Sequence, residues 1–244
     1  MSSFEELRVC DSTNKVVLER QTPEAFSMVL SLHQTNGIGR HGRRWMAQRD
    51  DALAFSFFLS SSAGQRQKLL DDGPSWVPLI AGAAVIEALT LVTSSHFSLK
   101  WPNDVMHRGK KISGILTQVH PDGGYVVGVG LNLRFSGEPP SPTATSLEGL
   151  AETNPDFLDR FTSSFVLRLV DMLELSRREC RQLVHPFLVT LGQRVTISET
   201  RKPPWEGFAE DIGERGELIV SDQQGTRIHL DAADVWHLRP INGG

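Results

Sequence analysis

The chain has 244 residues, 39% hydrophobic and 22% charged, with a formal net charge of −4. Such a length buries a sizeable core and accommodates one large domain, or one domain with a small appendage. The acidic balance leaves no excess of Lys and Arg to neutralise a nucleic-acid backbone, so general nucleic-acid affinity is excluded, while a small anion held by a local basic loop stays open.

Only Cys10 and Cys180 are present, far apart, which gives neither a disulfide framework nor a structural zinc site. The N-terminal residues lack the basic and apolar regions of a signal peptide, and no apolar run reaches the length of a membrane span. The expected location is the cytoplasm, with no membrane partner.

In chain order, Asp11, Ser12, Thr13 and Asn14 supply capping side chains ahead of a short predicted helix at 15–20. A mostly buried strand is expected at 27–33, and it runs into a polar stretch at 34–45. Leu53, Phe55, Phe57 and Leu59 recur at period two, a strand with one strongly apolar face. A polar connection at 64–73 leads to 76–89, which is apolar nearly all round and reads as a buried helix with Pro78 in its first turn. Segments 97–101 and 112–119 are expected to form a hairpin whose turn contains Pro102, Asn103 and Asp104, drawing Lys100 and Lys111 together.

A further strand is predicted at 125–133, where Gly128 and Gly130 leave one face without side chains. That marks either a bulge or the close approach of a ligand or another backbone. Helices are predicted at 155–175 and 177–189. After Gly192, short strands at 194–197, 207–209, 218–220 and 227–230 suggest a small β barrel or sandwich. The expected domains are 1–190 and 191–244.

Two stretches carry chemistry. Gly37, Gly39 and Gly42 spell a dinucleotide-binding fingerprint, but Arg43, Arg44 and Trp45 stand where a helix is required, and no acid occurs between 52 and 70. What remains is a glycine-rich loop with Arg40, His41, Arg43 and Arg44 interleaved and an aromatic anchor at Trp45. It is suited to fold over a phosphate-bearing ligand, or is simply an exposed basic loop. The second stretch is Lys100-Trp101-Pro102-Asn103-Asp104, with Lys111 and Gly114-Ile115-Leu116 following it.

Taken in order, Asp11-Ser12-Thr13-Asn14, Gln34-Thr35, the Gly37 to Trp45 loop, Lys100 to Asp104, Lys111 with Gly114 to Leu116, and Gly128-Val129-Gly130-Leu131-Asn132 resemble the biotin protein ligase family. The resemblance implies an α+β fold, with a mixed sheet packed against helices in the class II synthetase-like core, and an SH3-like C-terminal barrel. It implies a ligase that activates biotin with ATP and Mg²⁺ as biotinyl-5′-AMP and transfers it to a lysine of a biotin carboxyl carrier protein domain. The N-terminal DNA-binding domain of some relatives is not expected, and the protein would be a monomer or homodimer.

By the same resemblance, Ser12, Thr13, Gln34, Gly37, Gly39, Arg40, Trp45, Lys111, Gly114, Leu116, Gly128 and Gly130 would meet biotin. Arg40, Arg43, Arg44, Trp45, Asn103, Lys111, Asn132 and Arg239 would meet the nucleotide. Lys111 and Arg40 would be catalytic, and Asp104 would help orient the metal. One departure is Ile38, where the family's loop more often carries a base. Rival readings are a lipoate or octanoate ligase or transferase of the same fold, and a non-catalytic biotin-binding regulator.

Overall fold

The computed structural model describes residues 4–60, 74–121, 123–199 and 202–240, so the connection expected at 64–73 lies outside the described residues. The larger sheet has seven strands: β1 (Phe4–Leu7), β2 (Met28–Ser31), β3 (Ala52–Leu59), β4 (Ser98–Lys100), β5 (Asp104–His107), β6 (Lys110–Val119) and β7 (Tyr125–Asn132). Their order across the sheet is β1-β2-β3-β7-β6-β5-β4, with β1 and β2 parallel and every other neighbour antiparallel.

One face packs on the long helix α2 (Trp76–Thr93) and, over β3, on α3 (Pro155–Leu173), with α4 (Arg177–Val184) against α2. Leu53, Phe55, Phe57 and Leu59 of β3 join Leu79, Ile80, Ala83 and Ile86 of α2 and Phe161 and Phe165 of α3 in the main core. Among the described residues α2 alone is long and apolar enough to cross a membrane. Its burial between sheet and helices accounts for that composition. α3 starts from an Asn154 cap whose side chain accepts the Phe157 N–H at 2.9 Å, and α4 from a Ser176/Glu179 capping box.

The opposite face is covered only in part, by the short helix α1 (Thr13–Leu18), whose Val17 packs on Val29, Phe58 and Val126. Both faces of β3 are therefore buried, where the alternation had indicated one. A second, five-stranded antiparallel sheet follows: β8 (Arg194–Glu199), β9 (Trp205–Ile212), β10 (Leu218–Ser221), β11 (Arg227–Leu230) and β12 (Val235–Pro240), in the order β11-β10-β9-β8-β12. This is the small β domain expected after Gly192.

The sheets meet where the β9–β10 turn docks on two tryptophans. The Trp76 indole donates to the Glu214 carbonyl at 2.8 Å, and the Trp101 indole to the Gly216 carbonyl at 3.1 Å.

Four expectations are corrected. The first helix begins at Thr13, so Thr13 and Asn14 lie inside it, and Ser12 stands at the cap without a capping bond. The hairpin at 97–119 is three strands rather than two, because residues 104–107 form β5 between the turns at 101–103 and 108–109. The helix expected at 177–189 ends at Val184, with Pro186 in the short 3-10 turn that follows. Strands β1 and β12 were not foreseen. β1 is an exposed edge with two glutamates, and in β12 a register shift puts the buried Val235 and Leu238 three apart, which breaks period two.

Candidate active site

Strand pairing sets the floor of the site. Ala54, Gly130, Gly114, Asp104 and Lys100 stand side by side across β3, β7, β6, β5 and β4, and the next row is Ser56, Gly128 and Leu116. Directly paired residues share a face of the sheet, here the face that α1 leaves partly open. Three glycines in two adjacent rows make a shallow trough.

The trough explains both glycines of β7. A Cβ on Gly130 would lie 2.6 Å from the Trp45 ring, and one on Gly128 would lie 1.9 Å from Asn14 Oδ1. The β7 ladders run without a register shift, so there is no bulge; there is close approach, made by the side chains of Asn14 and Trp45 where a ligand or another backbone had been expected. The cavity above the trough encloses about 260 Å³.

Its inner end is neutral and polar. Ser12, Thr13 and Asn14 are buried at the start of α1. Gln34 Oε1 accepts the Thr13 N–H at 2.8 Å. The Ser56 hydroxyl donates to Asn14 Oδ1 at 2.6 Å and lies 2.7 Å from Thr13 Oγ1, while Asn14 Nδ2 donates to Gln118 Oε1 at 2.8 Å. Asn14 lines the cavity although the sequence reading gave it no role there, and Ser56, fully buried, supports Asn14 and Thr13 from behind the wall. Asn14 had been read as a cap candidate and as part of the Asp11 to Asn14 motif, with no contact of its own, and Ser56 becomes visible only once the rows are aligned.

The outer end is charged. Lys111 Nζ is 2.5 Å from Asp104 Oδ1 and 5.6 Å from the centre of the Trp45 ring. Strict alternation from Gly114 would point Ile112 into the cavity and Lys111 into the core. Instead the β5–β6 register shifts so that Met106 pairs with Lys111, Ile112 joins the core, and Lys111 lines the cavity. The bulge is what delivers the ammonium. The Lys111 backbone is fixed from its other side by the 143–145 segment: its N–H donates to the Thr143 carbonyl at 2.7 Å, and its carbonyl accepts from Thr145 at 2.8 Å. Asn103 is tied to the Ile115 carbonyl through Nδ2 at 2.7 Å.

The glycine-rich loop folds over this end as a small hairpin. Trp45 N–H donates to the Gly37 carbonyl and Gly39 N–H to that of Arg43, and the turn passes through His41 and Gly42 at φ 56° and 71°. Arg40 reaches the second sheet, where its guanidinium donates to the carbonyls of Ala232 and Val235, and it lies 3.4 Å from Asn103 Oδ1. Burial lowers the Arg40 pKa, against the pull of Asp104. Val235 and Leu238 close the wall beside it, so both sheets build the cavity.

Of the residues singled out in the sequence, the cavity gathers Ser12, Thr13, Gln34, Gly39, Arg40, Arg43, Arg44, Trp45, Asn103, Asp104, Lys111, Gly114, Leu116, Gly128 and Gly130. Three lie off its wall. Gly37 is buried behind it, where a Cβ would meet Gln34 and Trp45. Asn132 donates to the Thr145 carbonyl at 2.9 Å and lines an adjoining cavity of about 200 Å³ with Met46 and Arg134. Arg239 is exposed on β12, close enough to Lys100 to act on its charge. Lys100, which the sequence reading had confined to shaping the turn, lines the cavity.

The model of the biotin/lipoate A/B protein ligase family matches residues 6–136, more than half of the chain. The chain belongs to this family. Biotin--[acetyl-CoA-carboxylase] ligase of Mycobacterium tuberculosis is 34% identical, over 93% of this chain and 86% of its own length. The bifunctional ligase/repressor BirA of Bacillus subtilis is 30% identical, over 93% of this chain and 71% of its own. The structure of the biotin protein ligase from Aquifex aeolicus in complex with biotin and ATP matches with a TM-score of 0.82 at 26% identity, covering 99% of this chain and 100% of that one.

The family's α+β fold, a mixed sheet with helices and a small second β unit, is the architecture described above. Its matched region, 6–136, carries the trough, the glycine-rich hairpin and both lysines. Arg40's contacts with the 232–235 segment lie beyond that region and depend on the second sheet.

Proposed function

We propose that this protein is an ATP-dependent biotin protein ligase of the cytoplasm, which forms biotinyl-5′-adenylate and passes the biotin to a specific lysine of a carboxyl carrier protein domain. The observation that carries the reading is the polarity of the trough: neutral hydrogen-bonding groups at one end, a bare apolar floor under Trp45, and an ammonium at the other. Biotin has this sequence of parts, with an uncharged ureido head, an aliphatic tail and a carboxylate. Ser12, Thr13 and Gln34 hold the head, Trp45 covers the tail, and Lys111 meets the carboxylate.

In the first step a biotin carboxylate oxygen attacks the α-phosphorus of ATP and pyrophosphate leaves. Lys111 neutralises charge between carboxylate and α-phosphate, an interaction that strengthens as the bound substrates displace water. Arg40 keeps the hairpin closed over the mixed anhydride, with Arg43 and Arg44 at the rim and Asn103, Asn132 and Arg239 toward the nucleotide. In the second step the carrier lysine's amine attacks the acyl carbon and AMP leaves. No protein nucleophile is required, so catalysis is positioning and electrostatics.

Mg²⁺ would enter with ATP. Among the described residues Asp104 is the only carboxylate on the cavity wall, it already faces Lys111, and no cluster of three metal-ligating side chains occurs. The described residues thus gather no donor set for a metal held by the protein alone, so Mg²⁺ would be held chiefly by the phosphates, with Asp104 as its contact on the cavity wall.

The test is isotope exchange of pyrophosphate into ATP with biotin or lipoate, followed by biotinylation of a carrier domain. Biotin-dependent exchange and labelling are expected. Exchange with lipoate alone would move the assignment to the lipoate branch of the family.

A further inference from the structure

Lys100 is a cation of the cavity with no task in the steps above. It ends the row Ala54, Gly130, Gly114, Asp104, Lys100, and so shares the face on which Trp45 lies. It is half-buried, and among the described residues its ammonium makes neither a hydrogen bond nor an ion pair. The carboxylate opposite it, Asp104, is occupied by Lys111 at 2.5 Å.

Burial lowers the Lys100 pKa, and the charges of Lys111 and Arg239 push the same way against Asp104. Lys100, Lys111 and Arg40 all act on Asp104, and Arg239 lies close enough to Lys100 to add to them, so positive charge here outweighs the single carboxylate. Holding a partly desolvated ammonium without a counter-charge is unfavourable, and an anion entering the cavity removes that cost.

We propose that Lys100, with Arg239 behind it on β12, binds the β- and γ-phosphates of ATP and holds the departing pyrophosphate. This rests on the reading of the cavity as an adenylating site. As the biotin carboxylate oxygen bonds to the α-phosphorus, the bond from that phosphorus to the α,β-bridging oxygen breaks, and its electron pair passes to pyrophosphate. Lys100 supplies positive charge where that negative charge develops, and no proton need move. Lys111 acts at the newly formed bond and Lys100 at the one that breaks, with Asp104 between them.

The two half-reactions separate the roles, because transfer from preformed adenylate involves no pyrophosphate. In Lys100→Met, which keeps the stem and removes the charge, the concentrations of pyrophosphate and of ATP that half-saturate exchange are expected to rise about tenfold. Biotin binding without nucleotide, and transfer from supplied biotinyl-5′-adenylate to the carrier domain, should both stay within twofold of the unaltered protein. Lys100→Arg should restore much of the pyrophosphate dependence, and Arg239→Met should shift it in the same direction by less.

An unchanged pyrophosphate dependence in Lys100→Met, or transfer from supplied adenylate slowed as much as exchange, would overturn the proposal. Should Lys100→Met fail to fold by circular dichroism, the Lys100→Arg and Arg239→Met comparison decides on the same readouts. Absence of biotin-dependent exchange in the unaltered protein would instead strike the ligase reading itself, so the two failures are distinct.

Discussion

Lys111 shows how a single side chain acquires its role from backbone geometry. The amino-acid string resembles a ligase motif, but alternation along β6 would have turned this lysine into the core, and it is the β5–β6 register shift that turns it out. No periodicity in the sequence announces that shift. Lys111→Ala is expected to lower the rate of pyrophosphate exchange by about 10²–10³, the loss typical of removing one preorganised charge stabiliser. Biotin binding measured by calorimetry should change little, because Ser12, Thr13 and Gln34 hold the head. Equal losses of binding and exchange would place Lys111 in substrate binding alone. The polar residues of α1 were legible as types but not as roles, since Ser12 and Thr13 read equally well as caps, and only the packing of α1 on β3 and β7 shows Asn14 lying on Gly128.

The strand β7 carries two glycines with different consequences, although in the sequence they look alike. Gly128→Ala drives a methyl group into Asn14, whose bonds to Ser56 and Gln118 would have to break or move. That is overpacking beside a buried polar network, and a stability loss of about 1–3 kcal/mol in urea unfolding is expected. Gly130→Ala instead pushes against the ring of Trp45, which is only partly buried and sits on the hairpin. The expected result there is near-normal stability with biotin affinity weakened about tenfold or more by calorimetry. If both variants lose stability equally and bind equally, the division of the trough into a structural and a ligand-facing half is wrong. The strongly periodic elements, α2 and the apolar strands, were legible because burial writes itself into spacing, whereas β5 was hidden: four residues between two tight turns are too few to show a period.

The second sheet ties these parts into one molecule, since Gly216 of its β9–β10 turn accepts the indole of Trp101 just before the turn that presents Asn103 and Asp104. The β9–β10 turn is braced by Glu217. Burial opposes its charge, but the His229 ring at 3.0 Å and the Arg215 N–H at 2.8 Å outweigh it and lower the pKa. Asp51 is likewise buried and Glu199 half-buried, with pKa values lowered against the effect of burial by Ser136 and Arg134 and by Lys202 and Trp205 respectively. A carboxylate with a lowered folded pKa contributes stability that is present above its unfolded pKa and lost as pH falls through the folded one. The urea midpoint should hold from pH 7 to about 5 and decline below about pH 4. Glu217→Gln should lower it at pH 7 and make the decline shallower, whereas a midpoint indifferent to acid would deny these three carboxylates their part.

Because the cavity wall draws on both sheets through Val235, Leu238 and the Arg40 contacts, ligand binding should stabilise the whole chain against heat and not just its larger sheet. With biotin and ATP at about 100 times their dissociation constants, linkage supplies about 2.7 kcal/mol for each tightly bound ligand. For a chain of this length that corresponds to a rise in Tm of about 5–10 °C. Biotin with Mg·ATP should exceed the sum of the separate shifts, because the adenylate formed in place engages both ends of the trough at once. Lys111→Ala should remove that excess while leaving the shift due to biotin. Strictly additive shifts in the unaltered protein would mean that the two ligands do not react in this cavity.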